Sequence, residues 1–330
     1  MDRSAGRRVA GATRFEDATR PGLRWHARRS VKKLCKPQYL FRPQQLLTGR
    51  RWRVESPARL PWGLPLAYAP TGRLGRSLAH GAVYDLIVSE VLWRLLARGD
   101  AAVDAGANIG YMTSIMARRV GRAGRVDAFE PNPRTFQLLA SNVACWDASV
   151  TLHDAALADV TGTVKLYRAS DGDRNEIRAS LRPPADVGEA LTVPAVTLDG
   201  AISHEVKLLK LDTEGSELLV LRGAERLLRR LEHIVYEDHD PQPSVLTHRL
   251  TQAGYTVLLL EEGFLGPTAH RDITRARRLG WDPPSLVATR SPTDVIACLR
   301  PRGYRCLRGG EAGRLQGFLA APVSRHKPRT

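Results

Sequence analysis

The 330-residue chain is poor in cysteine and in aromatic residues, and it has no long hydrophobic run. Each shortage excludes something. Cys35, Cys145, Cys298 and Cys306 show no C-x-x-C spacing, so neither a zinc site nor a disulfide framework can be read, and a reducing cytoplasm is the expected setting. The longest apolar stretches, VLLLEEGFL and HIVYE, are strand-sized and far short of the roughly 20 residues of a membrane span, so none is expected. Acidic residues are sparse near the N-terminus, where residues 3–53 include Arg7, Arg8, Arg28, Arg29, Lys32 and Lys33. The segment RRSVKK has a twin-arginine look, but no apolar h-region or cleavage site follows, and no targeting signal is read. The net charge of +16 admits two readings of these ends. One is solvated, arginine-rich termini; the other is an electrostatic arm for an anionic partner.

What is present is a core. Apolar residues make up 43% of the chain, enough for a large α/β domain with flanking segments. Residues 1–50 have weak periodicity and are expected to form a basic arm. Residues 51–98 read as short strands broken by Pro61, Pro65 and Pro70, followed by an amphipathic helix over 83–98 that packs on the core. Then strands and helices alternate. AAVDAG, RVDAFE, SVTLHD, VKLLKLD, HIVYED and YTVLLLE read as strands, with helices over 109–120, 134–146 and 216–231 between them. This alternation predicts a doubly wound α/β domain over 99–262, with a parallel sheet, helices on both faces and ligands at the carboxyl ends of the strands. Residues 155–200 interrupt it with a hairpin-like insertion, read either as a cover for the site or as a surface excursion. Residues 263–330 form a C-terminal extension in which DVIACL (294–299) is a candidate last strand.

The stretch VDAGANIGYM (103–112) follows a strand and opens a helix. Gly106 permits a tight turn and close backbone approach, and the helix N-terminus offers unpaired N–H groups. A P-loop requires a Gly-Lys-Ser/Thr that is absent. A dinucleotide turn requires glycines where Asn108 and Tyr111 stand. The remaining ligand is a smaller adenosyl compound, S-adenosylmethionine, whose amino-acid end can pair with Asp104 and the turn backbone. Glu130, at the tip of the second strand, can accept both ribose hydroxyls. Asp154, at the tip of the third, can accept the adenine amino group, or be a surface turn residue.

A second dense motif, KLDTEGSE (210–217), links the fourth strand to a helix. Acids here cap a helix N-terminus, which accounts for Glu217. Lys210 and Asp212, however, lie where such a sheet presents groups to a transferring methyl. Methyl transfer to a hydroxyl needs positioning, exclusion of water and removal of a proton. The candidate bases are Asp212, Glu214, Glu237 and His239. A divalent ion held by Asp212 with Glu237 or Asp238 is the alternative use of these carboxylates.

VDAGANIGYM, AFEPNP (128–133) and KLDTEGSELLVLRGAERLL (210–228), in this order, resemble the FkbM-type family of S-adenosylmethionine-dependent methyltransferases. The resemblance runs from about Gly81 to about Glu237. It implies a class I methyltransferase (Rossmann-like) sheet and O-methylation of a small-molecule hydroxyl on a sugar or secondary metabolite. It also implies cofactor contacts from Asp104, Gly106, Asn108, Gly110 and Glu130. Asp85 stands where the family usually has a glutamate. Two rival readings are a nucleic-acid methyltransferase, suggested by the charge, and a non-catalytic protein that keeps the fold. The [DN]-P-P-[YFW] motif of base-nitrogen methylation is absent after the fourth strand; DPPS occurs only at 282–285.

Overall fold

Two hydrophobic periods, one of 3.6 residues and one of 2, organise the chain. The computed structural model describes residues 56–70, 72–81, 83–168, 179–181, 190–238, 240, 242–276 and 283–308. The basic arm expected over 1–50 and the candidate base His239 lie outside them. Strands β1 (Ala58–Arg59) and β2 (Pro65–Leu66) pair antiparallel and lead into α1 (Gly72–Gly81) and α2 (Leu86–Leu95). Alternation follows through β3 (Ala101–Ala105), α3 (Tyr111–Val120), β4 (Arg125–Phe129), α4 (Pro133–Val143) and β5 (Val150–His153). An insertion contributes β6 (Ala156–Leu157), β7 (Gly162–Arg168), β8 (Ala179–Ser180) and β9 (Ala190–Val196). The chain continues with α5 (Leu198–Ala201), β10 (Leu208–Leu211), α6 (Glu217–Arg222), α7 (Glu225–Leu228), β11 (His233–Glu237) and α8 (Val245–Gln252). It closes with β12 (Thr256–Gly263), β13 (Gly266–His270), β14 (Ser285–Thr289) and α9 (Pro292–Leu299).

The main sheet has eight described strands in the order β13-β12-β14-β11-β10-β3-β4-β5. From β5 to β11 the strands are parallel, and β14 inserts antiparallel between β11 and β12. This is the expected doubly wound α/β architecture with an antiparallel addition at one side. The chain runs outward from β3 to β5 and then returns to the other flank at β10. A crevice therefore opens between the carboxyl ends of β3 and β10. Strand residues alternate between two cores. Ala102, Leu208, Val235, Leu258 and Val287 enter one, and Val103, Leu209, Ile234, Leu259 and Leu286 enter the other.

Three readings change. DVIACL is not a strand but most of α9: Pro292 fits the first turn of a helix, and Val295 and Leu299 bury one face four residues apart. The strand that joins the sheet is SLVAT, with all five residues buried. The helix expected over 216–231 breaks into α6 and α7 because Asp199, from α5, accepts the Arg226 and Leu227 N–H groups and starts a second helix there. Finally, α2 is not amphipathic, since all ten residues are buried. Its polar members satisfy one another. Arg94 Nε donates to Glu90 at 2.5 Å, and Glu90 also accepts the Arg305 and Cys306 N–H groups.

The segment before the sheet is tied down by polar bonds from buried side chains. Asn142 accepts from Ala67 N–H (2.7 Å) and donates to the carbonyls of Ala67 (3.0 Å) and Ile109 (2.8 Å). Trp62 donates to Ser114, and Trp146 to the Pro65 carbonyl. Asn142→Ala leaves three backbone partners without this side chain, that of Ile109 buried and the two of Ala67 part-buried. It is expected to cost about 1–3 kcal/mol, read as a lower midpoint in urea denaturation. An unchanged midpoint would deny Asn142 this role.

Candidate active site

The turn after β3 is built by contact with the end of β10. Gly106 adopts φ +79°, and a Cβ there would lie 2.0 Å from the Asp212 carbonyl oxygen. Only glycine allows the two segments to touch. The N–H groups of the turn are spent internally. Gly106 and Ala107 donate to the Phe129 carbonyl, and Asn108 donates to Glu130 Oε2 at 2.9 Å. Ile109 donates to Asn108 Oδ1, and Gly110 to the Ala107 carbonyl. Five successive donors ahead of the helix, from Gly106 to Gly110, are thus occupied. Gly110 serves packing: a Cβ would lie 2.8 Å from Leu139 Cδ1 on α4. Asp104 is placed behind the turn instead of in the crevice. It is fully buried, accepts from Thr113 Oγ1 at 2.6 Å, and lies 3.5 Å from Lys210 Nζ.

Glu130 is the acceptor the turn supports. Its two oxygens take the N–H groups of Asn108 and Asn132, both at 2.9 Å, which leaves lone pairs for a ligand. Burial raises its pKa to about 7, against the pull of those two bonds and of Lys210. Phe129 lines the crevice beside it and stacks on His153 with centroids 4.1 Å apart. At the end of β5, Asp154 is exposed; its neighbour Ala155 lines the crevice, and Asp154 does not.

The opposite half is built on β10 and β11. Lys210 Nζ lies 3.3 Å from Asp212 Oδ2 and donates to the Gly106 carbonyl at 3.2 Å. Burial pulls its pKa down, but Asp212, Asp104 and Glu237 outweigh this, and the net shift is upward. Lys210 is therefore a fixed cation that ties the two motifs together. Glu214, in the left-handed region at φ 53°, lines the crevice with Asp212. Glu217 does not: it caps the loop, accepting from the N–H groups of Thr213 and Gly215.

Glu237 ends β11 and lines the crevice. Burial, together with the charges of Asp212 and Asp85 and a hydrogen bond to Asp85, raises its pKa to about 10. These neighbours favour its protonated, hydrogen-bond-donating form in the free protein. Asp238 faces elsewhere, accepting from Ser244 Oγ and Asp240 N–H. Among the described residues no group of three or more His, Cys, Asp or Glu side chains is placed to hold a metal ion. Asp85 is the crevice residue that sequence reasoning missed. Its signal was present, as the one noted departure from the family pattern.

Together these surfaces enclose about 420 Å³. Among the described residues, five acids (Asp85, Glu130, Asp212, Glu214 and Glu237) line the cavity against one cation, Lys210. A chain of net charge +16 thus carries an acidic pocket. The insertion forms one wall through Ala156, Leu157, Leu166 and Leu181.

Residues 104–264 match the methyltransferase FkbM domain, from the buried aspartate behind the turn to the hairpin after β12. Over just under half of its length the chain is thus similar to the FkbM methyltransferases. Among curated relatives of this domain, the hexuronic acid methyltransferase AglP of Haloferax volcanii is 28% identical over 159 residues, which are 47% of this chain and 62% of AglP. Methyltransferase 1 of Beauveria bassiana is 28% identical over 206 residues, covering 56% of this chain and 76% of that protein. A crystal structure of methyltransferase FkbM from Methylobacillus flagellatus KT aligns with a TM-score of 0.40 at 18% identity, over 59% of this chain and 47% of that one. The chain therefore spans less than two thirds of AglP and about half of the FkbM chain. Among the described residues, no helix is long and apolar enough to cross a membrane.

Proposed function

We propose that this chain transfers a methyl group from S-adenosylmethionine to a hydroxyl of a small molecule, a sugar or a secondary metabolite. The observation that carries the reading is the polarity of the pocket. With five turn N–H groups occupied and five carboxyl groups lining the walls, the site accepts hydrogen bonds and attracts cations. A pyrophosphate needs the reverse. A ribose diol and a sulfonium suit what is there. Glu130 would hold the ribose, the segment at Asp154 and Ala155 the adenine edge, and the Gly106 turn the remainder. When bound, S-adenosylmethionine supplies an electrophilic methyl.

The chain's own groups supply orientation, dryness and a proton acceptor. Lys210 is a fixed cation and Glu237 favours its protonated form, so Asp212 and Glu214 are the carboxylates left to take a proton. Of these, Asp212 is the one held on Lys210 and against Gly106, at the point where the strand order reverses. We assign it as the general base. The insertion wall excludes water. A nucleic-acid acceptor suits the pocket less well, because its phosphates would meet five acids. The basic segments that suggested nucleic acid lie outside the described residues.

Metabolites of a deletion strain, compared with those of the parent, test this reading. The mutant should accumulate a compound lighter by one methyl group, which the purified chain converts with S-adenosylmethionine, releasing S-adenosylhomocysteine. Identical metabolite profiles would oppose it.

A further inference from the structure

Asp85 and Glu237 have no role in holding a cofactor or in taking the acceptor proton, yet both line the pocket and are hydrogen-bonded to each other. They reach it from separate elements, the N-terminus of α2 and the carboxyl end of β11. Asp85 is held in the left-handed region at φ 40°, costly for a residue other than glycine, between the buried Val83 and Leu86. Its Oδ1 accepts from Val88 N–H at 3.3 Å. Two carboxyl groups in such contact share one proton, because both cannot ionise side by side.

A proton-sharing pair presents one donor beside several acceptors. Two neighbouring hydroxyls have the complementary need, one donating while the other accepts. Val88, Leu74 and Leu166 give the same pocket apolar surface suited to the C–H face of a ring. Among the described residues, an anionic acceptor would meet Asp85, Asp212 and Glu214 with only Lys210 in compensation. Resting on the methyl-transfer reading above, we propose that Asp85 and Glu237 bind the acceptor as a vicinal diol and select neutral or cationic polyols over carboxylate-bearing ones. This preference differs from that implied by the name of AglP.

The experiment uses the full chain loaded with S-adenosylhomocysteine. The probes are methyl hexopyranosides of gluco, manno and galacto configuration, each as neutral glycoside, uronate and monodeoxy analogue, with affinity read by saturation-transfer NMR. At least one neutral glycoside should bind, with its uronate and the deoxy analogue lacking one of the paired hydroxyls both about tenfold weaker or more. Asp85→Asn should weaken the neutral glycoside by a similar factor while the S-adenosylhomocysteine affinity holds. Glu237 faces Asp212 and Lys210 on β10 and Asp85 on α2. Neutral-glycoside affinity should therefore fall as pH rises through about 10, and Glu237→Gln, whose amide donates at every pH, should flatten that fall. A purely structural role for the pair would leave the pH profile unmoved. Equal or tighter binding of uronates, or no neutral glycoside bound, overturns the inference. Failure of S-adenosylhomocysteine itself to bind overturns the methyl-transfer reading as well, so the two failures are distinguishable.

Discussion

Glu130→Ala is expected to weaken S-adenosylhomocysteine binding at least a hundredfold, measured by calorimetry. Two ribose hydroxyls donating to a buried carboxylate are worth about 1.5–3 kcal/mol each, and every 1.4 kcal/mol is about a factor of ten. The substitution also leaves the N–H groups of Asn108 and Asn132 without their acceptor, which loosens the turn itself. A pH dependence accompanies it. Burial sets the Glu130 pKa at about 7 in the free protein. Hydroxyl donors favour the ionised form, so affinity should decline as pH falls through 7 and level off above it. The sign for stability is opposite. A carboxyl raised from its ordinary range stabilises the folded state at acid pH, and that contribution is lost as pH rises through about 7. The free protein thus carries a cost at neutral pH that a bound ribose relieves. Unchanged affinity in Glu130→Ala would remove the ribose assignment.

Asp212→Asn is expected to lower kcat by about 10²–10⁴-fold, the usual worth of a positioned base, with the affinity for S-adenosylhomocysteine within about threefold of the parent. Asparagine preserves shape and leaves Lys210 its contacts with Asp104 and the Gly106 carbonyl, so folding is little disturbed. The split between rate and binding is the diagnostic. A fall in both would mean that Asp212 acts through the turn, and normal turnover would pass the role to Glu214. The assay is methyl transfer to the compound found in the deletion strain.

Much of the sheet was legible because its strands are short apolar runs bounded by turn residues, and their helices carry the 3.6-residue period. The miss at the last strand has a physical reason. DVIACL and SLVAT are both short and apolar, and periodicity does not separate a buried strand from a buried helix at that length. Pro292 at the start of α9 was the overlooked discriminator. Glu90 and Arg94 concealed the burial of α2, since two charged residues on one helix read as a solvent face until their mutual bond is seen.

The site was legible at Glu130 and at KLDTEGSE, where the acids stand at strand ends. The state of each group was not. Whether Lys210 is a base or a fixed cation depends on Asp104, 106 positions away in the sequence but opposite it in the β3–β10 register. The protonation of Glu237 depends on Asp85, on a helix 152 positions earlier. Strand order, not sequence distance, creates both effects. Asp104 was expected at the cofactor and lies behind the turn, outside the crevice lining, because no local pattern tells which side of a turn a carboxylate takes.

The contact between Gly106 and the Asp212 carbonyl has a mechanical consequence. With no side chain between them, and with the Lys210 ammonium bonded to both segments, the floor of the pocket is a single rigid piece. On the proposed reading, the groups that hold the nucleoside and the group that takes the proton are therefore coupled through one contact. Any opening and shutting around a ligand then falls to the outer walls, which are the four-stranded insertion and the segment carrying α1 and Asp85.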